Sequence, residues 1–208
     1  MTMKPNCRNA IFALAFLALA GCGTTPPSKL YVIDPVVEGD TSIPQSSLAV
    51  LIQEVALRAY LSRKELLRRD QNFQVSVSEF ERWAEPLHVN TTIVLAENLS
   101  RLLQSDNIVA YPWQPAESIN YEIAVEVYAF GPGPSGDVVL NARWTILDGS
   151  GVTVASERAL FAASAASGTP VDTVAAMSSA LGNLSREIAS RLQRLADDAG
   201  TGTAEDPA

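Results

Sequence analysis

Reactive and metal-binding side chains are nearly missing from this 208-residue chain. It has two cysteines, Cys7 and Cys22, and one histidine, His88. That inventory supplies neither a thiolate metal site nor a disulfide framework. A hydrolase triad would have to use His88, and no G-x-S-x-G nucleophile elbow occurs anywhere. A lone histidine just inside a helix start reads as a partly exposed structural residue. Positive charge is also scarce, with 15 basic against 23 acidic residues and a net charge of −8. An acidic surface argues against nucleic acid, whose binding rests on basic groups displacing counterions from phosphates. Long apolar runs are lacking too. The longest, Ala10 to Ala20, has eleven residues, whereas a membrane-spanning helix needs about 20. Free loop donors are missing where a nucleotide motif would need them. Residues 131–136 satisfy G-x-G-x-x-G, but Pro132 and Pro134 delete two backbone N–H groups and a strand follows. That segment is read as a hairpin connection. Carboxylate pairs such as Glu79 with Glu81, or Asp197 with Asp198, read as solvated surface. No catalytic residue, metal ligand or cofactor site emerges, and the chain reads as non-enzymatic.

What is present begins at the front. Lys4 and Arg8 precede the apolar run, and Leu19-Ala20-Gly21-Cys22 closes it. A short basic segment, an apolar core and a small-residue cleavage site describe a secretory signal peptide over 1–21. The cysteine sets this apart, because Leu-Ala-Gly-Cys resembles the bacterial lipobox. The resemblance implies cleavage between Gly21 and Cys22 and a diacylglyceryl thioether on Cys22, with a third acyl chain on the new amino terminus. Two or three such chains anchor stably where one would not, at roughly 0.8 kcal/mol per buried methylene. Loss of Lys4 and Arg8 leaves 13 basic against 23 acidic residues, a mature net charge of −10. The expected membrane link is therefore lipid and not a basic face.

The pattern beyond Cys22 predicts an α+β fold: a mixed, largely antiparallel β-sheet with two long amphipathic helices packed on it. Residues 22–28 form a polar, Pro-containing leash, residues 29–196 a single domain, and residues 197–208 a disordered tail. Leu48–Ile52 is a continuous apolar run of the kind buried on both faces, and Phe73–Ser78 alternates strictly. Three alternating segments, roughly 119–130, 137–147 and 152–162, predict an antiparallel meander turned by Asp148-Gly149-Ser150-Gly151. One helix follows Pro86, with Ile93, Ala96, Leu99, Leu102 and Leu103 as its buried stripe. A second opens at Thr169-Pro170 with Asp172 close behind. Its stripe is Val171, Val174, Leu181, Leu184, Ile188, Leu192 and Leu195. Each one-sided helix should lie on a sheet.

The segment Arg82-Trp83-Ala84-Glu85-Pro86-Leu87 admits two readings. Trp83 and Arg82 could anchor a partner, since both residue types are enriched at interface hot spots. Alternatively Trp83 plugs the core and Glu85 complements the helix dipole. Trp113, in Tyr111-Pro112-Trp113, is a further candidate contact.

These same segments carry a resemblance to the PqiC-like lipoproteins, ABC-type transport auxiliary components. The matching residues are Lys29–Ile33, Tyr60-Leu61-Ser62-Arg63, Arg82–Leu87, Leu95-Ala96-Glu97-Asn98-Leu99 with Leu102-Leu103, Tyr111-Pro112-Trp113 and Ala142-Arg143-Trp144. The resemblance implies a non-enzymatic lipoprotein on the periplasmic face of the outer membrane. It also implies partners: an MCE-domain protein and inner-membrane transporter components that move lipids or other hydrophobic molecules. Gly23 after the lipidated cysteine is compatible with transfer to the outer membrane. Assembly as a homo-oligomer is left open. The alternative is a periplasmic carrier holding a lipid between sheet and helices.

Overall fold

The computed structural model describes residues 26–37, 46–113 and 118–202. The expected signal peptide with Gly21 and Cys22, the start of the leash and residues 203–208 lie outside the described residues.

The core is a six-stranded sheet whose main path runs β6-β2-β7-β8-β9. Its antiparallel meander is β7 (Tyr121–Pro132), β8 (Val138–Asp148) and β9 (Thr153–Ala163). Alternation decides which way each strand faces. Val138, Leu140, Ala142, Trp144 and Ile146 of β8 are all completely buried, as a period-two strand with one covered face requires. A bulge between Val127 and Ala129 shifts the phase of β7, so that Phe130 joins Ile123, Val125 and Val127 inside. β2 (Val50–Ile52) lies parallel to both β6 (Ile108–Ala110) and β7, and β3 (Ala56–Leu57) continues along β7. Val50, Leu51 and Ile52 are all buried, so both faces of β2 are covered and the run is apolar at every position.

A second sheet of three strands is ordered β1-β5-β4. It contains β1 (Lys29–Tyr31), β4 (Glu65–Arg69) and β5 (Val75–Trp83). β4 and β5 form a hairpin, while β1 adds to β5 in parallel.

Helices α1 (Leu87–Leu103) and α2 (Pro170–Gly202) pack against each other and on the large sheet. The start of α2 follows its sequence signals: Thr169 Oγ1 accepts from the Asp172 N–H, and the Asp172 carboxylate accepts from Ser167. Its stripe is buried at Val174, Leu181, Leu184, Ile188 and Leu192, with Met177 and Ala180 added. Val171, in the first turn, is 64% exposed. The helix is still intact at Asp197 and Asp198, where composition places the start of a tail, and it continues to Gly202. Adding residues to a helix already nucleated costs little.

The stripe of α1 is rotated from the expected one. Ile93 is 46% exposed, while Val94 and Leu95 are buried beside Ala96, Leu99 and Leu103. α1 touches the sheet, α2 and the N-terminal segment, so its buried arc is wide and includes Asn90, Thr91, Thr92 and Asn98. Side-chain hydrogen bonds satisfy most of that polarity. Thr92 Oγ1 accepts from Val55 N–H at 2.9 Å, and Asn98 Nδ2 donates to Ser185 Oγ of α2 at 3.1 Å. Trp144 Nε1 donates to Glu187 at 2.8 Å, tying sheet to helix.

Candidate interaction surfaces

The chemistry-bearing residues remain scattered. His88 Nε2 stands 3.0 Å from a carboxylate oxygen of Glu54 on the surface, and no nucleophile joins the pair. Among the described residues no group of three or more His, Cys, Asp or Glu side chains could hold a metal ion. No described helix is long and apolar enough to cross a membrane. The 131–136 loop joins β7 to β8, and its Gly133 and Gly136 N–H groups donate to the Asp137 and Gly133 carbonyls. Those donors are engaged within the loop and do not converge on an anion.

The candidate contact residues are divided between core and surface. Trp83, at the end of β5, is only 8% exposed and lines a small gap in the core together with Leu66, Leu87, Phe130 and Met177. Its N–H donates to the Lys64 carbonyl at 2.7 Å, fixing the strand end. Arg82 is half-buried, and its Nε is enclosed without a hydrogen-bond partner. Glu85 is half-buried, one residue before the cap position occupied by Pro86. Trp113 is 75% exposed beyond β6, on the other sheet. The structure brings Arg82, Trp83 and Glu85 to one strand-to-helix junction and leaves Trp113 elsewhere.

Two connected clefts open where the β4–β5 hairpin leaves the large sheet. One holds about 250 Å³ between Leu66, Val77, Pro132 and the start of α2. The other, of about 110 Å³, lies between Tyr60, Val75, Pro134 and Val139. Leu67 and Pro132 line both. Each is below the range of roughly 300–1,000 Å³ usual for small-molecule sites. Between sheet and helices the space is filled by Trp144, Leu181, Leu184 and Ile188, which are essentially inaccessible.

Sequence reasoning missed the hairpin itself. Residues 71–77 are exposed throughout, including Phe73, Val75 and Val77. Their alternation is visible in sequence, but alternation does not say whether the domain covers the apolar side.

A large mixed sheet carrying two paired helices, with a small three-stranded sheet beside it, defines an α+β domain. A family model described as ABC-type transport auxiliary lipoprotein component matches residues 31–189. The chain belongs to that family, which is a family of transport components. By structure it is similar to a protein from Xanthomonas campestris, with TM-score 0.70 and 15% identity over 84% of this chain and 99% of that one. A crystal structure of an uncharacterised protein gives TM-score 0.67 at 17% identity over 80% and 99%. At these identities the likeness shows the fold. No curated protein matches by sequence.

Proposed function

We propose that the chain is a non-enzymatic accessory subunit of an envelope-spanning ABC- or MCE-type system for lipids or hydrophobic molecules. Acyl chains on Cys22 hold it at the periplasmic face of the outer membrane, and the folded domain docks an MCE-domain protein served by inner-membrane transporter components. The family match over residues 31–189 carries this reading. Support also comes from the way the N-terminal segment is fastened. Ile33 is bound to α1 through Asn90, and the Asp34 N–H donates to Ser178 of α2 at 3.2 Å. A pull on a tether attached before Lys29 would thus be passed to both helices. The carrier alternative gains no support between sheet and helices, where side chains fill the space.

Purification from detergent-solubilised envelopes tests the docking role. The expected result is co-purification of an MCE-domain protein, lost when Cys22→Ser prevents anchoring. Recovery of the chain from the soluble fraction with residues 1–21 attached would overturn the tether.

A further inference from the structure

We infer that the tip of the β4–β5 hairpin is a second membrane contact, seating Phe73 and Val75 at a phospholipid surface while Arg68 and Arg69 meet lipid phosphates. This rests on the tethered reading above and adds to it an orientation for the domain.

The first observation is an apolar residue at the turn that the domain leaves bare, beside half-exposed strand valines that rim the two clefts. Phe73 is 87% exposed, Val75 42% and Val77 46%. Phe73 also holds a left-handed backbone, with φ of 61°, a conformation uncommon outside glycine. Asp70 shapes that turn, its Oδ1 accepting from the N–H groups of Asn72 and Gln74 at 2.9 and 3.0 Å. The turn is thus built to present an aromatic ring to the outside.

The second observation is charge. In an acidic chain, four of the 15 basic residues fall within 63–69. Arg63 pairs with Glu65 at 3.3 Å. Arg68 stands opposite Ser76 and Arg69 opposite Val75, two successive basic positions just behind the tip, with Arg68 reaching toward Gly136 of the β7–β8 loop. Long basic side chains beside apolar ones suit a boundary where the stem is buried and the head meets phosphate.

The third observation is direction. β1 runs parallel to β5 with Lys29 opposite Glu81, so the chain before Lys29 arrives from the tip side. From Lys29 back to Cys22 is seven residues, a reach of up to about 25 Å. From Glu81 to Val75, where β5 begins, is six residues, about 20 Å of strand, with the turn that carries Phe73 beyond it. The chain enters β1 from the tip side, and seven residues are enough to cover that length.

The full chain, processed and reconstituted in vesicles of phosphatidylethanolamine and phosphatidylglycerol, provides the test. Acylation blocks Cys22 and cleavage removes Cys7, so Gln74→Cys offers one thiol for an environment-sensitive fluorophore. Ser150→Cys, in the β8–β9 turn at the opposite end of the large sheet, is the control. The expected result is flotation of both proteins with the vesicles, and blue-shifted emission quenched by spin-labelled lipid at position 74 alone. Phe73→Ser should weaken that quenching. Arg68→Ala and Arg69→Ala should each lower partition of the tip by about fivefold, with flotation retained. Flotation with an unquenched label at position 74 overturns the contact while leaving the tether intact. Failure to float overturns both. Emission that shifts without lipid quenching assigns the tip to a protein surface, whether a second copy or a partner, and overturns the membrane contact.

Discussion

The side-chain amide of Asn90 forms two hydrogen bonds with the main chain of Ile33, accepting from its N–H at 2.7 Å and donating to its carbonyl at 3.2 Å. A helix side chain thereby supplies what a neighbouring strand would otherwise provide, and both residues are buried. Asn90→Ala strands both main-chain groups of Ile33, each at about 1–3 kcal/mol. The expected loss is about 2–6 kcal/mol in urea denaturation, with faster hydrogen exchange at the Ile33 amide. Unchanged exchange there would show that the clamp is dispensable.

Trp83 and Trp113 should separate stability from recognition. Removing the buried ring in Trp83→Ala should cost about 3–5 kcal/mol. Trp113→Ala should stay within about 0.5 kcal/mol of the parent. Capture of the proposed MCE-domain partner by Trp113→Ala then reads contact alone, and undiminished capture removes Trp113 from the interface.

The turn between β8 and β9 offers two glycines with different reasons for being glycine. A Cβ at Gly149 would stand 2.5 Å from the Ile119 carbonyl oxygen, so Gly149→Ala forces backbone to move. Overpacking of this kind costs about 1–3 kcal/mol. Gly151 has φ of +83° with open space around it. Gly151→Ala pays only for its left-handed conformation, about 1–2 kcal/mol. Thermal melts of both variants check the order, and restoration of Gly149→Ala by trimming a side chain would contradict the backbone clash.

Acid sensitivity should come from two turn carboxylates. The Ser150 hydroxyl first, then the backbone N–H of Val152, holds the Asp148 carboxyl below its ordinary range. Ser167 does the same for Asp172. Both folded-state values are depressed, so their stabilising effect is complete above the unfolded range near pH 4 and disappears as pH falls through the folded values. Stability from these groups should be flat around neutrality and decline only in acid. The double change Asp148→Asn and Asp172→Asn should flatten that acid limb in denaturation from pH 2 to 6, and an unaltered limb would assign it to other carboxylates.

The meander and both helix starts were legible because their signals are local. Alternation in β8 names its five buried residues, and Thr169-Pro170 with Asp172 marks the start of α2 before any contact is known. Features set by distant neighbours were not. The buried arc of α1 depends on what packs around it, which is why Ile93 and Leu95 exchange the expected roles. The bulge after Val127 sends Phe130 inward, and nothing in the alternation forecasts it. Parallel pairing of β1 with β5, or of β2 with β6 and β7, joins segments far apart in sequence. The exposure of the hairpin tip was illegible for the same reason, since Phe73, Val75 and Val77 carry the pattern of a covered strand.

The parallel placement of β1 beside β5 also decides how the domain bears mechanical load. A pull on the chain before Lys29 acts along the strand axis, so the rungs from Lys29 to Tyr31 resist together in shear. The two Asn90 bonds stand immediately behind them as a stop. Peeling the rungs apart one by one would require a pull sideways, across the strands.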